Sequence, residues 1–195
     1  MAHDTAIWWW VRHGPTHEKA FVGWRDVPAD LSDTAQLQRL SDFLPAEAVV
    51  VTSDLIRASA TGDAIQGARN RLPDSAEIRE FSFGRWDGCT FDEVAHSDPV
   101  LSRAYWEEPG DIRPPDGESW NDAALRIKPF VDRLNRDHTG KHIVAVAHIG
   151  VIMTQIERAS GEPPGEVIGH RIDNLSVTRL TYGSTPSATL INHIP

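Results

Sequence analysis

The sequence predicts an α/β fold, a three-layer sandwich in which a mainly parallel central sheet is flanked by helices and carries an antiparallel edge strand. Three short runs are continuously apolar, which is typical of strands buried on both faces: residues 6–11, 48–51 and 142–147. Segments with helical spacing alternate with these runs, and this order favours parallel strands. Near the end of the chain, two strand-like segments flank the turn residues GSTPS and predict the antiparallel hairpin.

Four helices are expected between the strands: residues 33–44, residues 54–70, a segment that begins at Thr90, and residues 119–137. Thr90 and Glu93 have the spacing of a capping box, in which each side chain accepts a hydrogen bond from a backbone N–H at the helix start. Ser119 or Gly117 is expected to begin the long helix, and Gly140 to end the turn after it. The Pro- and Gly-rich stretch EEPGDIRPPDGES predicts a surface excursion, and residues 175–182 and 188–194 form the predicted hairpin.

Composition limits the classes of protein to which the chain can belong. With 195 residues, 40% of them hydrophobic, we expect one domain that spans residues 1–195. A net charge of -9 gives no general attraction for nucleic acid or anionic membranes, so neither is expected as a partner. The apolar runs are too short to span a bilayer, and we expect a cytoplasmic protein. Cys89 is the only cysteine, which excludes an internal disulfide. Oligomeric state stays open, with a homodimer as one alternative.

Each buried strand is followed by polar residues that suit a phosphate site. Arg12 and His13 follow the first strand, Arg57 lies just beyond the second, and His148 follows the third. Parallel strands place their carboxyl ends at one edge of the sheet, where ligands bind in such folds. Paired arginines match phosphate oxygens, and a neutral imidazole is a competent nucleophile. Gly14 allows a ligand to approach the backbone closely. One such histidine is most often structural, but the coincidence at three strand ends favours a site that binds phosphate and forms a phosphohistidine.

Cleavage of a phosphate ester also requires a proton for the leaving oxygen. Glu80 is the candidate donor, because the neighbouring Phe81, Phe83 and Trp86 can desolvate its carboxyl group and keep it protonated. Composition taken alone favours an ordinary surface carboxylate, since the chain has 28 acidic residues. The residues themselves therefore leave both interpretations open.

Five motifs in order give the chain a resemblance to the histidine phosphatase superfamily, also called the phosphoglycerate mutase-like family: RHGPT, SDLIRASATGDAI, IREFSFGRWDG, PPDGES and VAHIGV. The resemblance implies that His13 is the phosphorylated nucleophile and Glu80 the general acid and base. It also implies that Arg12, Arg57 and His148 hold the phosphoryl oxygens, that Thr16 and the backbone at Gly14 assist, and that neither a metal nor a cofactor is required.

Two departures from the family pattern and one further resemblance concern substrate binding. Ile149 stands where the family usually has glycine after the second histidine, so it is expected to narrow the pocket or tilt the next helix. Glu18 and Lys19 replace a frequent Trp-Asn pair, and Lys19 is a candidate substitute for the phosphate-binding asparagine. Arg25 lies in a segment that resembles small-molecule phosphatases. Four residues are candidates for the mouth of the pocket: Trp24, Arg25, Trp106 and Trp120. An ordinary structural role between surface and core explains them equally well.

These observations favour a metal-independent phosphatase that hydrolyses small-molecule phosphomonoesters. Mutase-type phosphoryl transfer, a noncatalytic phospholigand-binding protein and a phosphohistidine protein phosphatase remain as alternatives. A metal site at His138, His142 and His148 is disfavoured, because the last two lie at opposite ends of one strand. At about 3.3 Å per residue, they are on the order of 20 Å apart.

Overall fold

A six-stranded mixed sheet forms the centre of the computed structural model, which describes residues 5–195; the first four residues of the expected domain lie outside this range. The strands are β1 (Ile7–Arg12), β2 (Ala48–Thr52), β3 (Asn70–Arg71), β4 (His142–Ala147), β5 (Val177–Thr181) and β6 (Ser187–His193). Their order is β3-β2-β4-β1-β5-β6. The first four strands in this order are parallel, whereas β5 runs antiparallel to β1 and β6 antiparallel to β5. This arrangement confirms the predicted fold class, including the antiparallel edge.

Seven α-helices are found within the described residues: α1 (Thr34–Phe43), α2 (Ile56–Ile65), α3 (Phe91–Ser97), α4 (Pro99–Glu107), α5 (Trp120–Asp137), α6 (Ile149–Ser160) and α7 (Pro164–Val167). The capping box of Thr90 and Glu93 begins α3, as predicted, and Ser119 caps α5. The prediction for α2 was too long. Residues 70–71 are not helical, because they form strand β3 and pair with β2. Helices α4 and α7 were not predicted.

Helices cover both faces of the sheet, and alternate residues of β4 face the two layers. Ile143, Ala145 and Ala147 pack in a cluster with residues of α5 and α6. Val144 and Val146 pack in a second cluster with residues of α1 and α2. All five are fully buried. Because both faces are covered, the strand is apolar throughout, which is the pattern the sequence displays.

The tryptophan run fixes β1 in place. Trp8 and Trp10 are fully buried on one face and stack with their ring centroids 4.9 Å apart. Their indole N–H groups donate to Asn135 Oδ1 and to the Tyr182 hydroxyl, both at 2.8 Å. Trp9 faces the other side and is half-buried. Burial of a large aromatic side chain contributes about 1.5–3 kcal/mol, so this run anchors the strand that leads into the site.

A third, smaller cluster lies under α3 and α4, with Trp86, Val94 and Tyr105 at its centre. The stretch 107–119 contributes to it through Ile112, and Pro114 is also buried. The expected excursion between helices is present and exposes its charged residues Asp111, Arg113 and Asp116, while Ile112 and Pro114 are turned inward. No helix among residues 5–195 is long and apolar enough to cross a membrane.

Candidate active site

The carboxyl ends of β1, β2 and β4 meet at one edge of the sheet, where the sequence predicts a site. Two backbone hydrogen bonds set their alignment: His13 N–H donates to Ala147 O at 3.1 Å, and Ser53 N–H donates to Val146 O at 2.9 Å. The rings of His13 and His148 lie with their centroids 5.1 Å apart. The two histidines that lie 135 positions apart in the chain therefore face each other across neighbouring strands.

His13 is held in one tautomer. Its ring Nδ1 lies 2.7 Å from the carbonyl oxygen of Gly14, and a carbonyl only accepts, so Nδ1 donates and Nε2 keeps its lone pair. The side chain of Asn174 donates to the backbone oxygen of His13 at 2.8 Å. Burial lowers the pKa of His13 to about 3, and the positive charges of Arg57 and Arg12 act in the same direction. The imidazole is therefore neutral near pH 7, which is the nucleophilic form.

Two arginines lie beside the histidines: Arg57 is buried and Arg12 is half-buried. Arg12 donates from Nη1 to the carbonyl oxygen of Ile172 at 2.6 Å. Arg57 donates to three backbone carbonyls, those of Val22, Gly23 and Arg25. The Nε–H groups of both arginines have no hydrogen-bond partner in the described structure. Burial lowers the pKa of both guanidinium groups, although arginine stays charged at neutral pH. Each side chain therefore keeps a positive charge and a free donor.

His148 caps α6 and is fully buried. Neither of its ring nitrogens has a hydrogen-bond partner within residues 5–195. Buried polar atoms are nearly always paired, so the two ring nitrogens are available to a ligand that reaches them. Burial lowers the pKa of His148 far below its usual value, and the neighbouring His13 contributes in the same direction.

Glu80 is only 4% exposed, unlike an ordinary surface carboxylate. Its Oε1 accepts hydrogen bonds from the N–H of Phe81 at 2.9 Å and from the N–H of Gly150 at 3.1 Å. Its backbone oxygen accepts from the indole of Trp24 at 2.7 Å and from Arg126 at 3.3 Å. Burial raises the pKa of the carboxyl group, and the two N–H groups only partly oppose this effect. The group is thus fixed in position and favours its protonated form.

A cavity of about 460 Å³ opens onto these groups. It is lined by Arg12, His13, Thr16, Glu18, Ala20, Phe21, Val22, Glu80, Phe81, Phe83, Tyr105, Trp106, Pro109, Ile112, Trp120, Ile149, Gly150, Met153 and Ile168. Five residues predicted for the site belong to this lining: Arg12, His13, Thr16, Glu80 and Ile149. Most of the others are aromatic or aliphatic. We refer to this space as the apolar cavity.

The other predicted residues lie outside the lining of the apolar cavity. Arg57, His148 and Gly14 are buried behind it, while Lys19 is exposed to solvent. The guanidinium of Arg25 is directed to carboxylates, at 3.1 Å from Asp87 and 3.3 Å from Glu18. Neither Lys19 nor Arg25 lines the cavity, and their role in substrate binding stays a prediction. Of the four residues suggested for the mouth, only Trp106 and Trp120 line it.

Sequence reasoning did not assign a role to Gly150 or Asn174, nor to Tyr105 as a cavity residue. A Cβ atom at Gly150 would lie 2.5 Å from Glu80 Oε1, so only glycine leaves room for that carboxyl group. The sequence signal of Gly150 was present in the motif VAHIGV. Asn174 and Tyr105 had no comparable local signal.

The three histidines considered as a metal site do not form one. His142 and His148 lie at and just beyond the opposite ends of β4, and the ring Nδ1 of His142 accepts from Trp9 at 3.0 Å. Across residues 5–195, no group of three or more His, Cys, Asp or Glu side chains is arranged to hold a metal ion.

The fold and this cluster define a protein of the phosphoryl-transfer class, and the comparisons with known proteins specify the family. The pattern of the histidine phosphatase superfamily (branch 1) matches residues 8–192, and the chain belongs to this superfamily. Adenosylcobalamin/alpha-ribazole phosphatase of Escherichia coli is 26% identical over 172 residues, which are 85% of this chain and 84% of that protein. The solved structure of Bacillus stearothermophilus YhfR superimposes with a TM-score of 0.88 at 26% identity, covering 97% of this chain and 98% of that one.

Bifunctional protein Rv2228c of Mycobacterium tuberculosis is 31% identical over 176 residues, which are 88% of this chain but 46% of that protein. The chain therefore spans about half the length of this relative. Phosphoglycerate mutase-like protein 4 of Arabidopsis thaliana is 31% identical over 158 residues, which are 76% of this chain and 69% of that protein. The similar proteins thus carry names of both phosphatases and mutases.

Proposed function

We propose that this protein is a metal-independent phosphatase that hydrolyses small-molecule phosphomonoesters through a phosphohistidine on His13. One observation carries the proposal. A neutral, buried imidazole with its Nε2 lone pair free shares a cavity with a cationic Arg12 and a desolvated Glu80 carboxyl group. A nucleophile, a cation for phosphoryl oxygens and a proton donor are the three groups that ester cleavage by this route requires.

In the first step, Nε2 of His13 attacks phosphorus and the bond between phosphorus and the ester oxygen breaks. Glu80 transfers its proton to that oxygen, so the leaving group departs as a neutral alcohol. The hydrogen bond from Nδ1 to Gly14 O favours the positive charge that develops on the imidazole ring, because the carbonyl dipole is directed at it. The products of this step are phosphohistidine, the alcohol and ionised Glu80.

In the second step, ionised Glu80 accepts a proton from a water molecule, which attacks phosphorus on the face opposite His13. The bond between nitrogen and phosphorus breaks, releasing inorganic phosphate and neutral His13. Glu80 then carries the proton with which the cycle began. Over both steps, one ester and one water give one alcohol and one phosphate.

The phosphoryl oxygens are proposed to bind Arg12, Arg57 and His148. The two unpaired guanidinium Nε–H groups and the unpaired imidazole support this assignment, since each gains the partner it lacks when a phosphoryl group binds. In both transition states, the negative charge on the equatorial oxygens is then stabilised by donors that are already fixed in position.

The test is phosphate release from a panel of phosphomonoesters in the presence of a chelator, with sugar phosphates, nucleotides, 3-phosphoglycerate and alpha-ribazole phosphate included. We expect metal-independent release by the wild-type protein and none above background by His13→Ala. Full turnover by His13→Ala would overturn the proposal. Transfer of the phosphoryl group to a second hydroxyl without net phosphate release would favour the mutase alternative instead.

A further inference from the structure

We infer that the preferred substrate carries an uncharged, apolar and preferentially aromatic leaving group, and that esters bearing a carboxylate or second phosphate are selected against. This inference rests on the proposed function, because it concerns the part of the ester that occupies the apolar cavity beyond the phosphoryl group. It is carried by the aromatic wall of that cavity together with the charges of its lining.

The aromatic wall is formed by Phe21, Phe83, Tyr105 and Trp106, which contact one another. The rings of Phe21 and Trp106 stack with centroids 5.8 Å apart and planes 22° apart. Phe21 also packs against Phe83 at 5.1 Å, and Tyr105 packs edge-on against Trp106 at 4.9 Å. These rings belong to or pack against the cluster under α3 and α4, and that cluster holds the aromatic wall in position. Such a preformed apolar surface binds planar apolar groups with little ordering cost.

The charges of the lining oppose an anionic leaving group. Among the described residues that line the cavity, Arg12 is the only lysine or arginine, and the proposed mechanism assigns it to the phosphoryl oxygens. The other acidic residues there are Glu80, which is held as the proton donor of the proposed mechanism, and Glu18, whose carboxylate is already paired with Arg25 at 3.3 Å. Lys19 and Arg25, the nearby cations in sequence, do not line the cavity. A second anion on the substrate would thus enter a largely apolar space without a cation and would meet Glu18.

The size of the cavity supports a leaving group of substantial bulk. Its volume of about 460 Å³ lies within the range of ligand pockets, roughly 300–1,000 Å³. Ile149, which occupies the position of the usual glycine, adds another apolar side chain to the lining. A phosphate ion alone leaves most of this apolar surface without a partner.

Three matched esters separate charge from size: benzyl phosphate, 4-carboxybenzyl phosphate and 4-(methoxycarbonyl)benzyl phosphate. We expect kcat/KM for benzyl phosphate and for the methyl ester to exceed that of the carboxylate by about tenfold or more, given the Coulomb energy of two like charges near a protein surface. Methyl phosphate has a leaving group too small to fill the apolar cavity, so its kcat/KM measures the phosphoryl site alone.

Glu18→Gln is expected to improve hydrolysis of the carboxylate ester relative to benzyl phosphate, because it removes the facing negative charge. Glu47→Gln is the matched control, since Glu47 is exposed and precedes β2 at the opposite edge of the sheet. Trp106→Ala is expected to raise KM for benzyl phosphate about tenfold more than it raises KM for methyl phosphate, and Trp106→Phe to restore most of the loss. Val100→Ala is the control on the same helix, at a side chain that is 83% exposed.

The outcomes separate this inference from the proposed function. Hydrolysis that depends on His13 but treats all three esters alike, or favours the carboxylate, overturns the inference and leaves the phosphatase intact. If no ester is hydrolysed, the phosphatase proposal fails. Calorimetric binding of 2-phenylethylphosphonate against 2-(4-carboxyphenyl)ethylphosphonate then tests the inference without turnover. Tighter binding of the phenyl compound supports it, and equal or weaker binding contradicts it.

Discussion

At the scale of single residues, the chemistry depends on which atoms carry protons before substrate arrives. Burial shifts the pKa values of His13 and Glu80 in opposite directions, because it disfavours the charged form of each side chain. The pKa of the histidine falls and that of the carboxyl group rises. The same dry environment therefore favours the neutral form of the imidazole and the protonated form of the carboxyl group, which are the forms that the proposed chemistry requires.

The proposed role of Glu80 as proton donor predicts that the rate depends on the leaving group. Glu80→Gln is expected to slow the phosphorylation of His13 by an alkyl phosphate about 10²–10⁴-fold, which is the usual contribution of general acid catalysis. The loss should be far smaller with p-nitrophenyl phosphate, whose phenolate leaves without a proton. Single-turnover kinetics measure this step apart from hydrolysis of the phosphohistidine.

The pH profile checks the same assignment. With an alkyl phosphate, the single-turnover rate of the wild-type protein should fall as pH rises through the raised pKa of Glu80, because the acid loses its proton. Glu80→Gln should lack this decline. Equal losses for both leaving groups, with an unchanged pH profile, would contradict the assignment. Glu47→Gln is the control for removal of a carboxylate at an exposed position.

Gly150 gives a second prediction at this scale. In Gly150→Ala, the new methyl group would lie 2.5 Å from Glu80 Oε1 and 2.8 Å from the Phe81 ring, so the carboxyl group must move. We expect a loss of kcat with alkyl phosphates that resembles the effect of Glu80→Gln, with the folded state retained by circular dichroism. The matched control is Gly165→Ala, where a Cβ atom meets nothing within 4 Å. Full activity of Gly150→Ala would mean that the position of Glu80 is not critical.

Residue identities at the strand ends were readable from sequence, but side-chain directions were not. The cavity is lined by Arg12 and His13, which lie at the end of β1, and by Glu80, which is followed by aromatic residues in the sequence. These local features made the three residues recognisable. Arg25 is different, since its guanidinium is paired with Asp87, which lies 62 positions away in the chain. Such a pairing depends on tertiary structure, and no local pattern predicts it.

At the scale of secondary-structure elements, α2 approaches β2 closely because Gly62 faces the sheet. A Cβ atom at Gly62 would lie 2.3 Å from Thr52 Cγ2 and 2.6 Å from Arg71 Nη1. The same helix carries Arg57 and Thr61, whose hydroxyl accepts from the N–H of Gly14 at 3.0 Å. The spacing between helix and sheet therefore determines where these groups meet the His13 loop.

Gly62→Ala is accordingly expected to destabilise the protein. Alanine improves intrinsic helix propensity by about 1 kcal/mol, but the overpacking against Thr52 costs about 1–3 kcal/mol. We expect the net free energy of unfolding to fall, as measured by urea denaturation. Gly165→Ala serves again as the control, because it adds a methyl group in open space. An increase in stability for Gly62→Ala would show that α2 can shift without cost.

The elements that sequence predicted well are those with strong local signals. β4 was predicted at its observed bounds, and the cap of α3 at its observed residues. β3 contains two residues and exists only because β2 lies beside it, so no periodicity can reveal it. α4 begins with Pro99, one residue after α3 ends, and proline at a helix start is a local signal for such a helix.

At the scale of the whole molecule, the sheet positions the residues proposed for catalysis, and the irregular segments position the residues proposed for substrate specificity. Parallel strands bring Arg12, His13 and His148 to one edge regardless of what the loops contain. The aromatic wall instead comes from residues 21, 83, 105 and 106, which belong to segments far apart in the chain. The fold and the meeting of these residues at one edge of the sheet were thus predictable from order and motif, whereas the shape of the cavity required the packed structure.

The buried histidines also couple the site to the stability of the whole protein. Because the pKa of His13 is lowered to about 3 from an unfolded value near 6.5, its stabilising contribution is present above pH 6.5 and is lost as pH falls toward 3. Between pH 7 and pH 5, this loss amounts to about 2 kcal/mol. His148 acts in the same direction, while Glu80, with its raised pKa, acts in the opposite one.

We therefore expect the free energy of unfolding, measured by urea denaturation, to depend less on pH in His13→Gln than in the wild-type protein. The difference between the values at pH 7 and pH 5 should shrink by about 2 kcal/mol, since an amide does not titrate. His148→Gln should change this difference in the same direction. Comparing each variant with itself at two pH values cancels any change in packing, and exposed His96 replaced by Gln leaves the buried pair intact as a control. An unchanged difference in His13→Gln would mean that His13 is protonated in the folded protein at pH 5. The neutral nucleophile on which the proposed chemistry depends would then be absent at that pH.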